Sequence, residues 1–221
     1  MFNKIRTFFQ LQKSILWEYG WLKSWWHNKP IDNNKEPIPW ITYPAIDFLK
    51  QFNYSESLVF EWGSGYSTLW WAKRCKEITS VESYSKWYEL LKPKLPPNVV
   101  YLTCAIQVDE EMKFFLESDS TYDVIVIDHF GPFRKHCCEI APQKLNPGGI
   151  ILLDNSDQCL LACEVLRNTG FQQIDFSGLA PSCSYAQTTS IFFKEHIKFS
   201  TINNFQPLKS LAQPNGPWEN C

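Results

Sequence analysis

No apolar run in this chain approaches the roughly 20 residues that a membrane-spanning helix needs. Charge of one sign is also missing: 21 Lys and Arg oppose 23 Asp and Glu, for a net charge of -2. A general nucleic-acid binder is normally basic, so no nucleic-acid partner is expected. Eight cysteines are present, but none forms a C-x-x-C pair. Cys137 and Cys138 are adjacent, and Cys159 and Cys163 lie four apart on a predicted helix. This scatter fits no disulfide or zinc framework and reads as reduced, buried thiols. The N-terminus lacks an apolar core followed by a small-residue cleavage site, so no secretory signal is expected and the expected location is cytoplasmic. No internal repeat is visible. What remains is a chain of 221 residues, 44% hydrophobic and 16% aromatic, enough for one domain with a sizeable core and an added arm.

Residues 1–36 read as that arm and its linker, 37–197 as the domain and 198–221 as a polar tail. The arm holds five basic residues, Lys4, Arg6, Lys13, Lys23 and Lys29, against the single acid Glu18. Trp17, Trp21 and Trp25 are spaced by four, which predicts one helical face. Two readings stay open: peripheral membrane contact through residues 1–30, or packing on the domain or on a second subunit. Oligomeric state is not legible. Pro30, Pro37, Pro39 and Pro44 predict an extended linker. From Leu58 onward apolar strands alternate with helical patterns. Strands are predicted at 58–62, 78–82, 99–103, 124–128 and 149–154, with helices between them. Such alternation predicts an α/β fold with a parallel sheet covered on both faces. Residues 170–177 and 188–194 predict two more strands with no helix between them, hence an antiparallel final pair.

The most informative stretch is Val59-Phe60-Glu61-Trp62-Gly63-Ser64-Gly65-Tyr66-Ser67-Thr68. An apolar run ends in a carboxylate, two glycines follow, and a helical pattern begins. Glycines there let the backbone approach a ligand closely. A carboxylate at the turn calls for hydroxyls or an ammonium as partner, not phosphates. Glu82 follows Glu61 by 21 residues, the interval at which an acid on the second strand meets a ribose diol. Asp128 and Asp154 end two further predicted strands, on the sheet edge where open α/β folds bind ligands.

Together, Glu61-x-Gly63-x-Gly65, Glu82, Asp128 and Gly148-Gly149 resemble class I S-adenosylmethionine-dependent methyltransferases. The form Glu-x-Gly-Ser-Gly-x-Ser-Thr, with Pro37-Ile-Pro-Trp-Ile-Thr-Tyr-Pro44 upstream, looks like a poorly characterised bacterial group of them. The resemblance spans about residues 40–194. It implies a Rossmann-like, doubly wound, seven-stranded sheet, mostly parallel with an antiparallel final pair, plus the N-terminal helical arm. It also implies S-adenosylmethionine as cofactor. Glu61, Gly63, Ser64, Gly65 and Ser67 would then lie along its methionine part, Glu82 and Ser83 along the ribose, Cys104 along the adenine, and Tyr43 over the cofactor. Asp128 would contact cofactor or substrate. The third glycine of the fuller motif is absent, with Tyr66 or Ser67 in its place; Ser67 and Thr68 supply capping hydroxyls there.

Val126-Ile127-Asp128-His129 and Leu153-Asp154-Asn155 also resemble two acidic segments of catechol-type O-methyltransferases. That resemblance implies a Mg²⁺ ion held by Asp128, Asp154 and Asn155, hard oxygen ligands of the kind the ion prefers. The alternative is that Asp154-Asn155 only ends a strand and caps a helix. The lysine base of those enzymes has no counterpart: Gly131, Pro132 and Phe133 stand there, followed by Arg134 and Lys135. Candidate catalytic groups are His129, since imidazole is the side chain most often used in general acid–base work, and Asp128. Arg134, Trp40, Phe130 and Asn155 are the candidate substrate residues. The expected reaction is methyl transfer to an oxygen of a small molecule or sugar, with a nitrogen as the alternative. Two rival readings share some features: a nicotinamide-dependent oxidoreductase, and a non-catalytic binding module acting through the Trp-rich arm.

Overall fold

A computed structural model describes residues 2–103, 108–202, 206–208 and 211. The elements run α1 (Phe2–Gln12), α2 (Trp21–His27), α3 (Tyr43–Leu49), β1 (Leu58–Trp62), α4 (Tyr66–Ala72), β2 (Glu77–Glu82), α5 (Ser85–Leu91), β3 (Val99–Thr103), α6 (Val108–Glu117), β4 (Tyr122–Ile127), α7 (Arg134–Ile140), β5 (Leu145–Leu153), α8 (Leu160–Asn168), β6 (Gln172–Leu179) and β7 (Ala186–Phe193). Seven strands form one sheet in the order β3-β2-β1-β4-β5-β7-β6. Strands β1 to β5 pair in parallel, and β7 runs antiparallel to both β5 and β6. The α/β sheet with an antiparallel final pair is therefore the architecture the sequence predicts.

Strand composition follows position in the sheet. The central β4, Tyr-Asp-Val-Ile-Val-Ile, is buried at every residue, as a parallel strand covered on both faces must be. The edge strand β3 has no fully buried residue. Alternate side chains feed two cores. Val59, Ile78, Val124, Ile150 and Ile191 meet Ile46, Leu49, Trp70 and Trp71 of α3 and α4 on one face. Phe60, Val81, Ile125, Ile151 and Phe192 meet Phe115, Cys137, Cys138 and Leu166 of α6, α7 and α8 on the other. Phe115 lies against Phe60 and Trp62, with ring centroids 4.7 and 4.6 Å away. Replacing such a ring leaves a cavity, so Phe115→Ala should lower unfolding free energy by about 3–5 kcal/mol. Urea unfolding with an unchanged slope checks this; a loss below about 1 kcal/mol would contradict the packing.

The N-terminal arm differs from its predicted form. Trp17, Trp21 and Trp25 do not share one helix, because a π-helical turn ends at Glu18 and Gly20 breaks the chain with a left-handed φ of 79°. A Cβ at Gly20 would sit 2.5 Å from the Asp32 backbone, so this bend needs glycine. After the bend the arm packs on the domain. The Trp21 indole donates to the Cys183 carbonyl at 2.8 Å, and the Tyr19 hydroxyl donates to Asp47 at 2.8 Å. Trp17, Trp25, Trp26, Phe8 and Phe9 stay exposed. No described helix is long and apolar enough to cross a membrane. Cys75, Cys138, Cys159, Cys163 and Cys183 are free thiols.

Candidate active site

The sheet reverses its winding between β1 and β4, the two strands whose carboxyl ends open the switch-point crevice of this class of fold. The loops leaving them touch. The Asp128 N–H donates to the Trp62 carbonyl at 3.0 Å, and the Gly63 N–H donates to the Val81 carbonyl at 3.0 Å. Gly63 has φ 91°, and a Cβ on it would lie 2.4 Å from the Asp128 carbonyl oxygen. Only glycine lets the two loops close to this distance. Two cavities open there, of about 300 and 610 Å³, and they share Gly63, Ser64 and Asp128 as walls. Both fall in the size range of small-molecule sites, roughly 300–1,000 Å³. A third hollow of about 290 Å³ surrounds Asn146–Gly149 at the amino end of β5, at the opposite sheet edge.

Glu61 anchors the floor. It is fully buried, and its register partner across β1–β2 is Ser80. One carboxylate oxygen accepts from the Ser80 hydroxyl at 2.7 Å and from the Thr68 hydroxyl. Because Ser80 spends its proton on Glu61, the Ser64 hydroxyl donates to Ser80, at 2.8 Å. Thr68 in turn accepts the Gly65 N–H at 2.9 Å, which fixes the start of α4. The second oxygen of Glu61, Oε1, is buried with no hydrogen-bond partner among the described residues. Burial pushes this carboxyl up to about 7, against the pull of the surrounding hydroxyls. A buried, unpaired carboxylate oxygen costs free energy until a donor meets it.

Glu82 ends β2 and is also buried. Its two oxygens accept the Ser64 N–H at 3.1 Å and the Tyr84 N–H at 2.8 Å. A carboxylate has about four acceptor positions, so this geometry leaves capacity for further donors. Glu82, Ser83, His129 and Phe130 line the larger cavity; Ser67, Gly65 and Trp40 line the smaller one. Asp128 borders both, with its side chain 34% exposed. Burial and the nearby Asp154 raise its pKa, and Arg134 opposes that rise. His129 is buried in the wall, its ring 5.3 Å from Phe133.

Three expected site residues are placed elsewhere. Tyr43 is buried in the core against the Tyr19 ring, 4.8 Å away, and lines neither cavity. It opens α3, so its ring turns inward with the apolar face of that helix. Arg134 folds back from the first position of α7 and is buried. Its Nε donates to the His129 carbonyl at 2.6 Å, and one terminal nitrogen donates to Asp128 Oδ1 at 2.7 Å. The other donates to the Asp154 carbonyl and, at 3.0 Å, to Asn155 Oδ1. Arg134 and Asn155 therefore hold each other, and neither lines the cleft. Cys104 lies outside the described residues.

The magnesium expectation is corrected by the same network. Asp128 Oδ1 and Asn155 Oδ1 are bonded to the guanidinium, and the Asp154 carboxylate accepts the Thr189 hydroxyl at 2.7 Å. Among the described residues no group of three or more His, Cys, Asp or Glu is placed to hold a metal. These three residues do not fit a divalent ion.

Sequence reasoning missed Trp87, whose indole donates to the Ser64 carbonyl at 2.7 Å and walls the smaller cavity. It missed Ser80 as well. Ser80 stands two residues before Glu82 on the same strand face, but its pairing with Glu61 requires the register. Asn28 and Pro30, from the end of the arm, also border the smaller cavity.

Residues 60–156 match the family model described as a methyltransferase domain. The seven-stranded sheet is shared with solved methyltransferase structures. The O-methyltransferase from Bacillus cereus, solved in complex with SAH, is 17% identical with a TM-score of 0.56, over 68% of this chain and 77% of its own. TomG from Streptomyces achromogenes is an O-methyltransferase involved in tomaymycin synthesis, solved in complex with SAM. It is 14% identical with a TM-score of 0.54, over 66% of this chain and 74% of its own. Precorrin-6y C5,15-methyltransferase from Geobacter metallireducens GS-15 is 15% identical with a TM-score of 0.55, over 69% of this chain and 87% of its own. At these identities the likeness is one of fold. No curated protein sequence matches the chain.

Proposed function

We propose that this protein is a methyltransferase that uses S-adenosylmethionine to methylate an oxygen of a small molecule or sugar. The observation that carries the cofactor reading is the unpartnered Oε1 of buried Glu61 beside the Gly63 turn, with Glu82 at the next strand end. This set of acceptors fits an ammonium and a ribose diol, and a bound pyrophosphate would meet two carboxylates instead. When bound, the sulfonium supplies an already activated methyl group, so the protein's task is alignment and proton removal. Glu61 receives the amino group of the methionine part, and Glu82 the ribose hydroxyls. Gly63 keeps the floor of the cleft low enough for close approach.

The larger cavity, with Phe130 and His129 in its wall, takes the acceptor. Phe130 is 72% exposed, which suits a group that covers an apolar portion of a ligand. Asp128 and His129 border that cavity, which supports a role for them in holding or accepting the acceptor's proton. The O-methyltransferase neighbours support oxygen as the methylated atom. The thiols of Cys137 and Cys138 are buried in the core behind α7 and take no part.

Calorimetric titration with S-adenosylmethionine, S-adenosylhomocysteine and NAD tests the cofactor. Binding of either sulfur ligand with no response to NAD is expected; NAD binding alone would restore the oxidoreductase reading. In the same protein, His129→Ala should lower turnover at least tenfold, within the range typical of general-base loss, and leave cofactor affinity within about twofold. Equal loss of both would remove His129 from the chemistry.

A further inference from the structure

Arg134 occupies an unusual position. It draws together four oxygens from two segments: Asp128 Oδ1 and the His129 carbonyl in the β4–α7 loop, and the Asp154 carbonyl with Asn155 Oδ1 after β5. Every one is a hard oxygen, and two belong to side chains that the sequence pattern offers to a divalent cation. The cation placed among them is a guanidinium, permanently charged and buried. The Asp154 carboxylate is turned away, to Thr189, whose hydroxyl also accepts the Thr42 N–H at 3.2 Å.

We infer that Arg134 is a built-in cation in the place of a metal, so that this domain works without a divalent ion. The inference rests on the methyltransferase reading only for its catalytic meaning; the binding chemistry stands on the geometry. Arg134 acts as a positioning residue. Its bond to Oδ1 orients the Asp128 carboxylate, and its bond to the His129 carbonyl fixes the backbone from which the imidazole projects. A planar fork with five donors holds several oxygens in fixed directions at once, which a lysine ammonium does not. The same oxygens make up a latent cation site: remove the guanidinium, and the partly exposed Asp128 carboxylate, the Asn155 amide oxygen and two backbone carbonyls are left facing one another without a charge partner.

Manganese titration followed by electron paramagnetic resonance, with thermal melting in parallel, tests this on the full chain. The wild type should show no saturable Mn²⁺ binding at millimolar metal and no change in melting midpoint. Arg134→Ala should melt at a lower temperature, bind Mn²⁺ saturably and regain part of the lost midpoint when Mn²⁺ is added. Arg134→Lys should keep the charge, bind no metal and melt between the two. Saturable Mn²⁺ binding by the wild type that is lost in Asp128→Asn would overturn the inference, and so would an Arg134→Ala protein that folds but gains no Mn²⁺ binding. If Arg134→Ala does not fold, the wild-type and Arg134→Lys titrations decide, and metal binding by either overturns it. None of these readouts depends on S-adenosylmethionine, so a failed cofactor titration and a failed metal result remain distinct.

Discussion

Gly63→Ala should weaken S-adenosylmethionine binding at least about tenfold and destabilise the fold itself. The alanine Cβ would have to occupy a point 2.4 Å from the Asp128 carbonyl oxygen, in a backbone held at φ 91°. Holding a non-glycine residue in such a conformation costs roughly 1–3 kcal/mol before any clash is counted. The contact atom is backbone, so no rotamer change relieves it. Either the β1–α4 turn or the β4–α7 loop must move, and each carries a wall of the cleft. A loss of at least about 2 kcal/mol in unfolding free energy is expected, and a drop of at least about tenfold in affinity for S-adenosylmethionine, since each 1.4 kcal/mol of lost alignment is a factor of ten. Gly65 is the internal control. Its φ of -179° is extended backbone, and a Cβ there would meet only the Ser67 hydroxyl at 3.8 Å. Gly65→Ala should fold as the wild type does. Chemical unfolding and calorimetry check both; a Gly63→Ala protein that binds within twofold of wild type would refute this account of the turn.

Glu61→Gln should remove the pH dependence that this buried carboxyl imposes. Its pKa rises from 4.5 to about 7 on folding, chiefly through burial. Below the unfolded value both states carry the proton and no penalty exists. Between about 4.5 and 7 the unfolded chain releases the proton while the folded chain keeps it, so stability falls as pH rises. Above about 7 the penalty levels off, near 3 kcal/mol at about 1.4 kcal/mol per pH unit. Glutamine removes the ionisation. The stability difference between variant and wild type should therefore grow in the variant's favour from pH 5 to pH 8. Asp154, raised to about 6 by burial, contributes in the same direction and is common to both proteins, so the difference isolates Glu61. Ligand binding should show the opposite slope. An ammonium at Oε1 needs the carboxylate, so wild-type affinity for S-adenosylmethionine should rise through pH 7 and the variant's should not. A flat stability difference from pH 5 to 8 would show that Glu61 is already ionised in the free protein.

The two carboxylates illustrate how much of the site is local. Glu61 and Glu82 each end an apolar run that can only be a buried strand, and the glycine turn follows the first of them directly. Such features depend on neighbours in the chain, and the structure puts them at one sheet edge. Arg134 shows the opposite case. Its place at the start of a helix after the fourth strand is legible, but its partners come from Asp128 and from Asp154-Asn155, which lies 20 residues further on. A different rotamer at Arg134 would leave Asp128 Oδ1 and Asn155 Oδ1 without this guanidinium partner. Tyr43 fails for a related reason: an aromatic beside the motif is as readily core as cleft, and only the packing of α3 against Tyr19 decides.

By itself, the sequence determined the α/β class, the succession of strands and helices, the antiparallel final pair and the acid-and-glycine turn, because each follows from short-range hydrophobic period and backbone freedom. Only the tertiary structure decided that Ser80 stands opposite Glu61, that Trp87 and the end of the arm wall the cleft, and that a guanidinium bonds the Asp128 carboxylate after β4 and the Asp154 carbonyl after β5. Those outcomes depend on strand register and side-chain direction, which bring together residues far apart in the chain and leave no local signature.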